Sequence, residues 1–260
     1  MDIKASLKKE MLDGVRNYRF LILFAGMLFF AILNPVMNKV FLPELLQSQF
    51  PGMTHEVMQE MLITTQLGNL RGYMGDVFQI STLIIAFTLS GMTASELSEK
   101  TLILPLTTGK RYTELLLAKL IVFGSFLLAS ATVSLLVNYL YSGVLFGFQL
   151  PSVVPVLRAG MLQGLYMLYV LGLLMLVGTL VKKPVATGLL VLIPAYGTRI
   201  IGDLLDIHRY LPSGLLIEAE MLAVLPAASL IGTILITLAA IVLMIGGTII
   251  RLSNMELTRG

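Results

Sequence analysis

Six long apolar runs, each bounded by charges or turn residues, dominate the chain: Phe20 to Met37, Val77 to Ala94, Leu120 to Tyr141, Met161 to Val181, Val185 to Ile201 and Val224 to Ile250. A helix needs roughly 20 apolar residues to cross the hydrocarbon core of a bilayer, where only bonds within the helix can satisfy its backbone. Composition points the same way. Of the 260 residues 57% are hydrophobic and 13% charged, against roughly a quarter charged in a soluble domain. The expected fold is an all-α membrane protein, a single transmembrane domain over residues 1–260 with six spans. The second and fifth runs are the weakest signals, because the second carries Gln79, Ser81, Thr82 and Thr88, and the fifth is short and holds Pro194.

Basic residues orient the spans, since loops retained in the cytoplasm carry the excess of Lys and Arg. With the N-terminus inside, Lys4, Lys8, Lys9, Arg16, Arg19, Lys100, Lys110, Arg111, Lys119, Lys182, Lys183, Arg251 and Arg259 fall on the inner side. Only Lys39, Arg71, Arg158, Arg199 and Arg209 fall outside. The bias predicts a multi-pass protein of the cell membrane with both termini cytoplasmic. The polar lead is long and no small-residue cleavage site follows the first run, so the N-terminal segment is expected to be retained. A net charge of +3 is too small to argue for nucleic acid. With no cysteine, disulfides, thiolate nucleophiles and thiolate metal sites are excluded.

Residues 1–19 read as an interfacial helix. Ile3, Leu7, Met11 and Val15 recur every four residues as an apolar stripe, with Lys4, Lys8, Lys9 and Arg16 largely off it and available to anionic lipid headgroups. The alternative is a solvated basic lead that only obeys the charge rule. Outside, residues 38–76 form a long segment with Pro43 and Pro51-Gly52. Within it Thr54 can cap a helix that places Val57, Met58, Met61 and Leu62 on one face. His55-Glu56 lacks the second histidine of a metalloprotease helix, since Gln59 stands four residues after His55, and no metal site is expected. Between Gly202 and Ala223, leucines alternate with Asp203, Asp206, Glu218 and Glu220 around Pro212-Ser213-Gly214. That pattern fits two short re-entrant helices or a plain interfacial loop.

The inner segment 95–119 has the most informative pattern. Thr93 and Glu96 have capping-box spacing, Glu96, Glu99 and Lys100 follow, and Pro105 ends or kinks the helix before Arg111 and the rise into span three. This places a short charged helix where a soluble partner can grip it. Here the chain resembles the type-2 ABC permease family. Glu96 and Glu99 match its acidic end, Thr101 its threonine, Leu102 and Leu104 its apolar run, Pro105 its turn, Arg111 its basic residue and Lys119 the lysine that opens span three. Lys100 stands where the family usually has glycine, and the interval from Pro105 to Arg111 is longer than usual. The motif covers about a tenth of the chain. The basic N-terminal helix, the six spans, the short second inner loop at Lys182-Lys183-Pro184 and the apolar last outer loop resemble the same family over nearly the full length. The resemblance implies half of a transporter, pairing with a second copy or a paralogue. A cytoplasmic ABC ATPase subunit, holding ATP and Mg, would be coupled through Glu96, Glu99, Lys100, Thr101, Pro105, Arg111 and Lys119. The chain itself is expected to bind no cofactor and to hydrolyse nothing, because Gly109-Lys110 runs straight into Arg111 and lacks the earlier glycine of a phosphate-binding loop.

Within the spans there are almost no ionisable residues, which weakens an ion-gradient-driven secondary transporter and, more strongly, an intramembrane enzyme. Asn34, Gln79, Ser134 and Asn138 can line a substrate path, or each can hydrogen-bond a neighbouring helix. Gly160 and Gly164, with Gly172 and Gly178 further on, permit close helix approach. The expected activity is export of an amphipathic or apolar substrate such as a peptide, an antibiotic or a lipid-linked molecule.

Overall fold

The computed structural model describes residues 3–49, 65–101, 111–150, 152–223 and 229–257. Among the described residues six helices are long and apolar enough to cross a membrane: Arg19–Gln49, Gln66–Ser98, Tyr112–Phe146, Val154–Val181, Pro184–Leu205 and Leu230–Met255. No strand occurs among the described residues. The two weak runs both form spans, and the second is longer than its apolar stretch because Thr65 accepts a hydrogen bond from the Gly68 amide and starts the helix at Gln66. Pro155 and Pro184 lie in the first turns of spans four and five, where a missing amide proton costs nothing.

Span four is the centre of the bundle. It packs against spans two, three, five and six, and 67% of its most apolar window is buried, against 22–28% for spans one, five and six. Glycines at its start let span three come close. A Cβ on Gly160 would lie 2.6 Å from Thr132 Cα, and one on Gly164 2.7 Å from Leu128 Cα, both backbone atoms of span three. Their close approach is thus spent within the chain. Replacing Gly160 by alanine is expected to push spans three and four apart and to cost about 1–3 kcal/mol, read as a lowered thermal midpoint in detergent.

Span one runs past its expected end at Met37 to Gln49, through Pro35 and Pro43. Just before Pro43 the helix widens into a π-turn over Met37–Phe41, with the Leu42 amide bonded to the Met37 carbonyl. The wider register absorbs a residue that cannot donate. Span two carries a second π-turn at Val77–Ser81, one residue after Asp76. The proposed helix around residues 54–62 lies outside the described residues.

The segment between spans five and six folds, among its described residues, as a 3-10 turn at His208–Tyr210 and one short helix, Gly214–Met221, which buries Leu215, Leu216 and Ala219. Arginines hold it down. Arg199 makes a two-pronged pair with Glu220 at 3.1 and 3.2 Å, Arg71 donates to the Glu220 carbonyl at 3.0 Å, and Arg158 donates to the Ala223 carbonyl.

Candidate functional site

At the end of the bundle that holds the N-terminal helix, four charged side chains from three elements meet. The helix Ile3–Arg16 faces the spans through Ser6, Glu10 and Gly14, with Leu7 of the apolar stripe partly buried against the core, while Ile3, Met11 and Val15 stay exposed. Gly14 leaves room for the Phe20 ring of span one, which a Cβ there would strike, and the helix packs chiefly against span three. Lys119, in the third turn of span three, is 3% exposed and reaches Glu10 (1% exposed) and Glu96 at 2.9 Å each. Lys9 closes the group, 3.0 Å from Glu96 and 3.2 Å from Glu10. Two ammonium groups therefore face two carboxylates, and the cluster is neutral. Neutrality is what makes burial tolerable, because an unpaired charge at this depth costs several kcal/mol. Partial burial works against the Lys9 charge, but Glu96 and Glu10 outweigh it and hold the ammonium above its ordinary value. The lysine charge therefore persists through the usual lysine range and is lost only in strong alkali, whereas in strong acid the pairing ends by protonation of the carboxylates.

The cluster ties the N-terminal helix, the end of span two and the start of span three into one body. From it the link between spans two and three emerges. Span two ends at Ser98 with a paired backbone closure, in which the Thr101 amide reaches the Glu96 carbonyl at 3.0 Å and the Lys100 amide the Leu97 carbonyl at 3.4 Å. Lys100 takes the left-handed conformation, φ 57°, that this closure needs. That explains why glycine suits this position. Lys100→Gly is expected to stabilise the protein by about 1 kcal/mol, measured by thermal unfolding in detergent. Glu99, Lys100 and Thr101 are exposed, as is Arg111 just before span three. Within 95–119, helix covers the start to Ser98 and the end from Tyr112, and residues 102–110 lie outside the described residues. Pro105 lies outside the described residues.

At the opposite end of the bundle, polar side chains of spans one to three form a chain of hydrogen bonds. Asn34 Nδ2 donates to Asp76 at 2.6 Å, and Asn38 Nδ2 donates to Asn34 at 3.3 Å and to Asn69 at 2.9 Å. Asn69 Nδ2 donates to Asn138 at 3.4 Å, and Asn138 Nδ2 donates to the Ala31 carbonyl at 2.9 Å. That carbonyl is the one Pro35, four residues on, cannot serve. Asn138 thus repairs the helix that Pro35 interrupts. Ser134, fully buried, lies one turn before Asn138. Gln79 is apart from this chain: its side chain is exposed and its carbonyl accepts from the Tyr196 hydroxyl at 2.5 Å.

Glu96 and Lys119 are therefore brought together, and so are Asn34 and Asn138. Lys9 and Glu10 were not legible as partners, although a lone glutamate flanked at four-residue intervals by Ser6 and Gly14 marks a buried helix face. Asn38 and Asn69 were missed because each lies outside the apolar runs. Among the described residues no group of three or more His, Asp or Glu side chains could hold a metal ion. In comparison with known proteins, no family model matches the chain, and no curated protein matches it. Geometry and sequence pattern carry the functional reading alone.

Proposed function

We propose that this chain is the permease subunit of an ABC transporter, exporting an amphipathic or apolar substrate with ATP hydrolysed by a separate cytoplasmic subunit. The observation that carries the reading is the Lys9–Glu10–Glu96–Lys119 cluster, buried at Glu10 and Lys119 and open to the surface at Lys9. It anchors both ends of the inner link to the N-terminal helix, so a force on the exposed Glu99–Thr101 turn and Arg111 moves spans two and three together instead of bending a loose loop. In this account Glu99, Lys100, Thr101, Pro105 and Arg111 meet the ATPase subunit, while Glu96 and Lys119 hold the platform from beneath. The second permease, a copy or a paralogue, covers part of the exposed apolar surface of the chain, and membrane lipid covers the remainder. The Lys119 end faces the cytoplasm of a cell-membrane protein, in line with the basic residues gathered there.

Glu99→Ala is expected to leave insertion and folding intact while hydrolysis by the ATPase subunit no longer drives transport. Unchanged transport and unchanged stimulation of hydrolysis in this variant would remove the coupling role. A second reading, an ion-gradient-driven secondary transporter, draws on Asp76 and its amide chain, since a carboxylate at membrane depth is a default marker of an ion path. It requires that transport run without ATP and that Asp76→Asn abolish it.

A further inference from the structure

Two grooves flank the turn that joins the N-terminal helix to span one. The turn is tightly built: Tyr18 is left-handed at φ 55°, and the Asp13 carboxylate takes Asn17 at 2.7 Å and Arg19 at 2.5 Å. Residues alternate across it. Val15 and Tyr18 line an apolar groove of about 550 Å³ that continues along Phe20, Phe24, Phe126 and Val133. Arg16 and Asn17 line a second groove, of about 530 Å³, on the adjoining face of the helix together with Lys8 and Lys9.

The two differ in chemistry. In the first, the rings of Phe20 and Phe126 lie 4.3 Å apart and form a fixed aromatic floor. From Phe126 to Val133 it extends about 10 Å along span three, by helix rise, which suits part of one acyl chain. In the second, Arg19 already neutralises Asp13 and Lys9 is taken by Glu96. Lys8 and Arg16 are exposed and make no ion pair among the described residues, so this groove carries uncompensated positive charge. An apolar slot beside a cationic one, at the point where an amphipathic helix bends into a span, matches a molecule with a hydrocarbon tail and an anionic head.

We propose that the two grooves form a binding site for one anionic phospholipid of the surrounding bilayer, its acyl chain along Phe20, Phe24 and Phe126 and its phosphate between Lys8 and Arg16. The lipid is a bound component of the protein and not its cargo, and the site is independent of the permease reading. A glycerophospholipid with a negative headgroup fits, whereas a zwitterionic one presents its own cation to Lys8 and Arg16.

The chain has no tryptophan, so a single introduced one reports on the groove alone. The full chain carrying Phe24→Trp, or Phe126→Trp if the first does not fold, is reconstituted in phosphatidylcholine vesicles. Dibrominated phosphatidylglycerol or dibrominated phosphatidylcholine is then added at matched mole fractions to quench its fluorescence. Brominated phosphatidylglycerol is expected to quench at roughly fivefold lower mole fraction, and Lys8→Gln with Arg16→Gln to abolish that preference. Leu243→Trp, on an exposed face of span six at 75% exposure, is expected to show no preference. Equal quenching by both lipids in the groove would overturn the proposal. So would a preference that survives the double substitution, or a groove quenched by neither lipid because a second protein chain covers it.

Discussion

Lys119→Met is expected to destabilise the protein by about 3–5 kcal/mol and to abolish coupled activity, because it leaves Glu10 and Glu96 sharing a single cation where there were two. Size is not the cause. Methionine nearly matches the volume of lysine, so the loss isolates charge from packing. The neutral count gives a sharper form of the prediction: adding Glu10→Gln to Lys119→Met leaves Lys9 facing Glu96 alone and restores neutrality. The double variant is expected to be more stable than the single one, measured as the thermal midpoint in detergent or as resistance to protease. If the two changes simply add, the four side chains do not act as one electrostatic unit, and the link between spans two and three is not held as described.

Asn138→Leu is the second large effect. It removes the donor that serves the Ala31 carbonyl and the acceptor that Asn69 uses, leaving two buried polar groups unmet. The expected cost is about 2–4 kcal/mol. Restoring an amide proton at position 35 supplies one of the missing partners, since residue 35 would then bond to Ala31 within the helix. Pro35→Ala is therefore expected to recover a substantial part of the Asn138→Leu loss while doing little for the parent chain. Absence of that rescue would show that Asn138 matters for another reason, such as contact with substrate.

These two sites also show what a single sequence can and cannot carry. Span number follows from apolar run length, because hydrocarbon imposes a minimum and the backbone must be satisfied internally. Span ends do not follow, since Thr65 begins span two in polar sequence and the π-turn before Pro43 carries span one onward. Glu96 and Lys119 stand out through the family resemblance, but the partnership of Lys119 with Glu10 crosses 109 residues of chain. No local periodicity reports so distant a contact. The N-terminal helix is instructive in a similar way: its apolar stripe was legible, but the face that docks is the one with Ser6, Glu10 and Gly14. Asn138 was legible as polar within a span, and its role depends on a proline in another span, which only the fold brings near.

Co-purification from membranes tests the central claim most directly. The tagged chain, extracted with its neighbouring proteins, is weighed by native mass spectrometry and assayed for ATP hydrolysis. The account predicts two permease chains with two ATPase subunits, and loss of that assembly or of its coupled hydrolysis when Glu99 and Arg111 are both replaced by alanine. A chain that purifies alone, and in vesicles moves solute only under an imposed proton or sodium gradient, would contradict it.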